Sequence, residues 1–298
     1  MLVLEPGSSA QARLAWMDRA GQRLEWVGEL GGAGLEQVLS PDEKQAAFFL
    51  KGDVWVRDLA RGLSTRLTFD PGIDRAPVWS PDGGRIVFSS SRDSGRLDLY
   101  VKSASGEGQE ELLLTTGNGR WATDWAGGGR LLLYVELDPE TKRDLWVLPM
   151  EGERRPTPFL RTKFNERDGA FSPDGKWIAY ASDESGRYEI YVQPYPATEA
   201  KWQVSRDGGR WPRWRGDGRE LYWLEEDGTL LAAEVNVGST FRSGNPQALF
   251  ETRLEVASFE RYAVAKDGKR FLVSIPVDEG EGPRPVTVVQ NWLARARK

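Results

Sequence analysis

Five arginines stand at matching places along the chain: Arg75, Arg120, Arg167, Arg210 and Arg261. Each precedes, by four to six residues, a short turn that the sequence writes repeatedly. A guanidinium presents five N–H donors in a rigid planar fork that matches a carboxylate or phosphate two bonds at a time. Five of them around one opening would hold a carboxylate, a phosphate or an acidic peptide. Acids lie close by at Glu36, Asp74, Glu166, Asp168 and Glu260. The same pattern therefore also describes an ion-paired rim that neutralises itself, and both readings stay open at this level.

Other chemistry is limited by composition. The 298 residues include no His and no Cys. This removes Ser-His-Asp and Cys-His nucleophilic catalysis, imidazole base chemistry, disulfides and the ordinary zinc sites. There is no Gly-x-Ser-x-Gly elbow and no Gly-x-x-x-x-Gly-Lys phosphate loop. No catalytic residue, metal site or cofactor is assigned on this basis. Carboxylate chemistry survives, so the alternative to a noncatalytic binder is a hydrolase or lyase working with acids and Arg in a central funnel, with Asp124 and Asp168 as the acids to test.

Forty basic against 45 acidic residues leave a net charge of −5, which lacks the basic footprint of a nucleic-acid binder. The longest apolar runs, such as Leu131 to Val135, are too short to span a bilayer, and no apolar stretch near Met1 reads as an export signal. As written, the chain is expected to be soluble, with no direct membrane insertion.

The elements that must position the arginines come from the repeat. Trp79-Ser80-Pro81-Asp82-Gly83 and Phe171-Ser172-Pro173-Asp174-Gly175 are its fullest copies, each followed by an apolar strand. Further copies centre on Ser40, Ala126, Arg215 and Ala265, so the six anchors at 40, 80, 126, 172, 215 and 265 are spaced by 40 to 50 residues. Pro presets the first turn position, Asp caps the turn through its own side chain, and Gly takes positive φ. Asp82, Asp174, Asp217 and Asp267 are accordingly read as turn formers and not as calcium ligands, since calcium needs six to eight converging oxygens.

A third strand opening on an acid follows in Asp53-Val54-Trp55, Asp98-Leu99-Tyr100, Asp144-Leu145-Trp146 and Glu189-Ile190-Tyr191, and a fourth strand closes each unit. Four short strands in a period of forty-odd residues predict an all-β fold, a six-bladed β-propeller of four-stranded antiparallel blades. Residues 1–298 are expected to form a single propeller domain. Residues 11–28 look like the two strands missing from the sixth copy, which predicts closure by pairing of the N- and C-terminal segments. Val286 to Trp292 also looks extended and has no assigned place. Trp79, Trp125, Phe171 and Trp214 recur just before the turn and are expected to pack between blades.

The Ser-Pro-Asp-Gly turn with its following Asp-Leu-Tyr or Asp-Leu-Trp strand resembles the WD40-like repeat of TolB-type propellers across almost the whole chain. Ala126, Arg215 and Ala265 depart from that motif in lacking Ser and Pro. A narrower resemblance, resting on Leu14 to Gly21, Leu67 to Gly72 and Val288 to Trp292, is to the C-terminal propeller region of bacterial serine/threonine kinases. These resemblances imply a protein or peptide partner, a sensor-type role and an extracytoplasmic setting; no kinase motif is present.

Overall fold

The computed structural model describes residues 12–276, apart from 30–34, 94, 116, 127, 239, 253 and 255–261. Every element among them is a strand. Among the described residues no helix is long and apolar enough to cross a membrane. The strands form six antiparallel sheets, one for each copy of the repeat, and the sheets are the six blades. Their innermost strands are Leu35–Leu39, Asp74–Trp79, Arg120–Ala126, Glu166–Phe171, Arg210–Trp214 and Ala263–Val264, in blades I to VI. Each inner strand neighbours the next, and the sixth neighbours the first, so they surround an axial channel.

The turn after each inner strand shows why its residues recur. The Ser172 hydroxyl donates to Asp174 Oδ1 at 2.6 Å and accepts the Trp177 N–H at 3.0 Å, while Asp174 Oδ1 accepts the Lys176 N–H at 3.1 Å. Ser40 with Asp42 and Ser80 with Asp82 repeat this arrangement. Where Ser is absent, Asp217 and Asp267 still accept the N–H two residues on. Gly83, Gly175, Gly218 and Gly268 all take positive φ, near 70°. The expected turn function of these acids is thus directly visible in their hydrogen bonds.

The ring closes through the chain ends. Strand Ala12–Asp18 pairs with Arg270–Pro276 in unbroken antiparallel register from Ala12↔Pro276 to Asp18↔Arg270, and Arg23–Glu29 forms the outer strand of the same sheet. Blade VI is therefore built from both ends, as the repeat count predicts. Arg19, in the turn of this N-terminal hairpin, reinforces the closure by binding both Glu220 oxygens of blade V at 3.0 and 3.1 Å. Val286 to Trp292 lies outside the described residues.

Blade V departs from the simple plan. Its third strand, Thr229–Val237, is long enough to carry two short outer strands, Phe241–Ser243 and Gln247–Glu251. Gly244-Asn245-Pro246 separates them; Pro has no N–H to donate, so a continuous outer ladder stops there.

The core is distributed over six hydrophobic clusters, one at each junction between blades. Trp79 packs with Val54 and Phe88 between blades I and II, Trp125 with Val87 and Tyr134 between II and III, and Phe171 with Leu133 and Tyr180 between III and IV. Trp214 packs partly buried against the cluster between IV and V. The clusters at V–VI and VI–I gather around Tyr222 and Phe271, and around Leu14 and Phe48. Large aromatics at the end of the inner strands of blades II to V thus fill the wedge between neighbouring sheets.

Replacing Ser172 by Ala removes two hydrogen bonds made by a buried hydroxyl, and is expected to lower unfolding stability by about 1–3 kcal/mol in denaturant titration. A chain beginning at Leu35, which lacks the closing hairpin and bares the edge of Arg270–Pro276, is expected to lose its single cooperative transition. A cooperative melt at the full-length temperature would contradict that account.

Candidate functional site

Inner strands create both mouths of the channel, and those of blades I to V carry a deformation that the repeat pattern does not announce. In blades I, II, IV and V the pairing with the second strand slips by one residue, between Leu35 and Val38, Arg75 and Val78, Arg167 and Ala170, and Arg210 and Arg213. Within these bulges Glu36, Ala76, Asp168 and Trp211 take left-handed φ values of 61°, 52°, 57° and 59°. All four stand four residues before their anchor. A left-handed conformation costs a non-glycine residue about 1–2 kcal/mol, and a bulge re-aims the side chains around it. Blade III has its bulge one step later, between Ala122 and Asp124.

At this strand-entry end the sequence-predicted arginines meet carboxylates. Arg75 binds Glu36 Oε1 through Nη2 at 2.7 Å and Nε at 3.2 Å, and Glu36 Oε2 accepts the Ala76 N–H at 2.6 Å, tying blade I to blade II. Arg167 and Arg210 share one carboxylate. Asp168 Oδ1 accepts from Arg167 Nε at 3.1 Å, and Oδ2 from Arg210 Nε at 2.9 Å. Both guanidiniums also lie over the Trp211 ring, at 5.2 and 5.0 Å, and over Tyr188, at 5.8 and 4.8 Å.

The remaining two positions behave differently. Arg120 is completely buried and staples blade II to blade III through Asp98 at 3.0 Å, the Leu114 carbonyl at 3.2 Å and Glu136 at 3.5 Å. Arg261 and Glu260 lie outside the described residues. The neighbouring acids also divide: Asp74 pairs with Arg92 at 3.1 Å, and Glu166 accepts the Thr162 hydroxyl at 2.5 Å.

Counted over the described residues, charge does not balance in the blade IV–V group. Two guanidiniums face one carboxylate, and Arg210 Nη2 is shielded from solvent with no hydrogen-bond partner among the described residues. An unsatisfied buried donor costs about 1–3 kcal/mol, which an anion supplying an acceptor would recover. Burial opposes charge on Arg167, and Asp168 outweighs it, so the guanidinium stays protonated.

The opposite mouth, at the turn end of the inner strands, holds a cavity of about 400 Å³. Its walls include Trp79, Trp125, Phe171 and Trp214 with the turn prolines Pro41, Pro81 and Pro173. Three charged side chains that sequence reasoning did not bring together line it: Asp124, Arg213 and Lys266. A signal existed. Two residues before the anchor the copies read Val38, Val78, Asp124, Ala170, Arg213 and Ala263, so a charged pair interrupts an otherwise apolar layer. Asp124 accepts the Phe171 N–H at 2.7 Å and the Trp125 N–H at 2.8 Å, joining blade III to blade IV. Burial pushes its carboxyl above the usual range, while those two N–H groups and Arg213 pull the other way.

No family model matches the chain. Among curated proteins it is 29% identical over 137 residues to an uncharacterized protein of Agrobacterium fabrum, covering 43% of this chain and 46% of that one. It is 25% identical over 260 residues to tricorn protease homolog 1 of Streptomyces coelicolor, covering 82% of this chain and 24% of the relative. It is also 25% identical over 134 residues to the Tol-Pal system protein TolB of Francisella tularensis, covering 44% and 30%. The chain thus spans less than half the length of these relatives. Among solved structures, a protein of Agrobacterium tumefaciens described as a TolB superposes with a TM-score of 0.74 at 16% identity, covering 91% of this chain and 100% of that one. TolB of Acinetobacter baumannii gives 0.60 at 16% identity, covering 90% and 64%, and an oligogalacturonate lyase in complex with manganese gives 0.59 at 14%, covering 88% and 82%. The fold is a TolB-like six-bladed propeller.

Glu166, at the entry of the blade IV inner strand beside Arg167, carries a pH signature. Burial pushes its carboxyl from the ordinary 4.5 up to about 7; the Thr162 hydroxyl opposes this, and repulsion from Asp144, Asp183 and Glu184 adds to it. Its Oε2 has no partner among the described residues. A raised folded-state value favours the protonated form, so this contribution to stability is complete below pH 4.5 and is lost as pH rises through about 7. Melting temperature measured across that window is expected to fall more steeply for the wild type than for Glu166→Gln. Parallel curves would show that Glu166 is not the titrating group.

Proposed function

We propose that this chain is a noncatalytic binding module of the sensor type, one propeller domain that engages an acidic segment of a protein or peptide, or a small anion, at the strand-entry mouth of its channel. Arg75, Arg167 and Arg210 are the contact residues; Arg120 supports them from within the II–III junction, and Arg261 completes the set by its place in the repeat. The observation that carries the reading is the Arg167–Asp168–Arg210 group, with its surplus cation and the unpartnered Arg210 Nη2. Such a group gains from an incoming carboxylate or phosphate what its single internal carboxylate leaves unmet.

Likeness to TolB-type propellers supports a protein partner and an extracytoplasmic setting, and the resemblance to kinase propeller regions supports the sensor role. The absence of His and Cys from the sequence removes most nucleophile and base chemistry. The competing reading, a hydrolase or lyase, draws on the relatives named as peptidase and lyase and on the elevated carboxyl of Asp124.

Calorimetric titration with inorganic phosphate and with a short glutamate-rich peptide tests the proposal. Arg210→Gln is expected to weaken binding about tenfold or more, the loss of one charge-assisted contact, and Arg75→Gln to weaken it less. Unchanged affinity in Arg210→Gln would overturn the assignment. A screen of glycosides, uronides, lactones and peptides is expected to show no turnover. Turnover abolished by Asp124→Asn or Asp168→Asn would establish the enzyme instead.

A further inference from the structure

The cavity at the turn end of the channel is separate from the arginine mouth and has its own chemistry. Its walls are apolar and aromatic, contributed by Val38 and Leu39 of blade I, Trp79 of blade II, Trp125 of blade III, Phe171 of blade IV and Trp214 of blade V. A wall of this kind favours a ligand with an aromatic or aliphatic body. Two cations stand in it. Arg213, half-buried, makes among the described residues one hydrogen bond, from Nη1 to the Pro212 carbonyl at 2.8 Å, and no ion pair. The Lys266 ammonium makes neither a hydrogen bond nor an ion pair among the described residues, whereas its backbone is held from both sides. The Lys266 N–H donates to Glu43 in the blade I turn, and its carbonyl accepts the Gly216 N–H at 3.0 Å from the blade V turn.

Gly216 makes that seat possible. A Cβ there would lie 2.8 Å from the Lys266 carbonyl oxygen and 2.9 Å from its Cβ, too close for any other residue without movement. Lys266 is therefore positioned at the cavity by its neighbours and not left to wander on a loop. The one carboxylate in the cavity, Asp124, already receives two backbone N–H groups. With Asp124 ionised by its two N–H donors, Arg213, Lys266 and Asp124 together leave one positive charge in a largely apolar space.

We infer that this cavity binds a small monocarboxylate with an apolar or aromatic body, its carboxylate between Arg213 and Lys266 and its body against the indoles. A guanidinium and an ammonium lining one cavity match one carboxylate, and a dianion would leave a negative charge facing apolar walls. A volume of about 400 Å³ sets the size; it lies toward the small end of ligand pockets.

The test uses 3-phenylpropionate and its uncharged amide, titrated into the full chain by calorimetry with tryptophan emission as a second readout. The acid is expected to bind and to shift emission through Trp79, Trp125 and Trp214, and the amide to bind at least tenfold more weakly. Arg213→Gln is expected to weaken the acid about tenfold or more, the loss of a charge-assisted hydrogen bond, and Lys266→Gln, at an exposed side chain, to weaken it several-fold. Arg210→Gln, at the opposite mouth, is expected to leave it unchanged, which separates this site from the proposed anion mouth. Should Arg213→Gln fail to fold, the acid–amide comparison and Lys266→Gln still decide. Equal binding of acid and amide, unaltered binding in the folded cation variants, or no binding up to millimolar acid would overturn the inference.

Discussion

Everything in this molecule depends on the ring being closed. Each sheet buries its faces only against the sheets on either side, so an open array would leave two wet apolar faces and two unpaired edges. The antiparallel pairing of Ala12–Asp18 with Arg270–Pro276 supplies the missing contact. It makes blade VI from residues more than 250 positions apart, and the VI–I cluster around Leu14, Phe48 and Leu272 can form only after that pairing. Arg19 then extends the closure across to blade V through Glu220. The axial channel exists because of this closure, and both candidate sites are surfaces of that channel.

Between blades, polar cross-links accompany the hydrophobic wedges. Glu36 reaches the Ala76 N–H, Asp124 the Phe171 N–H, and Tyr262 the Trp211 carbonyl at 3.0 Å. The indole N–H groups of Trp79 and Trp214 reach back to the carbonyls of Val38 and Ala170, at 3.2 and 3.1 Å. These pairs follow from one another. Where Phe171 replaces the usual Trp and has no N–H to offer, Asp124 of the preceding blade binds the Phe171 backbone instead. Buried carboxylates are costly unless hydrogen-bonded or ion-paired, and the inner ring meets that condition with backbone donors and guanidiniums. Arg210 Nη2 and Glu166 Oε2 both stand without a hydrogen-bond partner among the described residues.

Much of the fold was legible. The turn residues, the acid opening four of the third strands and the aromatic before four of the turns all reflect local or nearest-neighbour physics, and they recur in register; even the split of the last blade between the two chain ends could be counted from strands. The divided outer position of blade V was not, because it turns on how far Thr229–Val237 extends. The arginines were legible as a register and not as a set: Arg75, Arg167 and Arg210 hold carboxylates at one mouth, while Arg120, spaced almost identically, turns into a junction and is fully buried. Spacing gives position along a strand; a one-residue bulge then decides which way the side chain goes.

By itself the sequence determined the architecture and the excluded chemistry, because period, turn composition and the lack of His and Cys are properties of the chain that no folding can alter. Tertiary structure alone decided which charges meet. Asp168 lies between two guanidiniums from different blades, and Asp124 and Arg213, 89 positions apart in sequence, line one cavity. Electrostatic partnership acts over a few ångströms of space, and only the closed ring sets those distances.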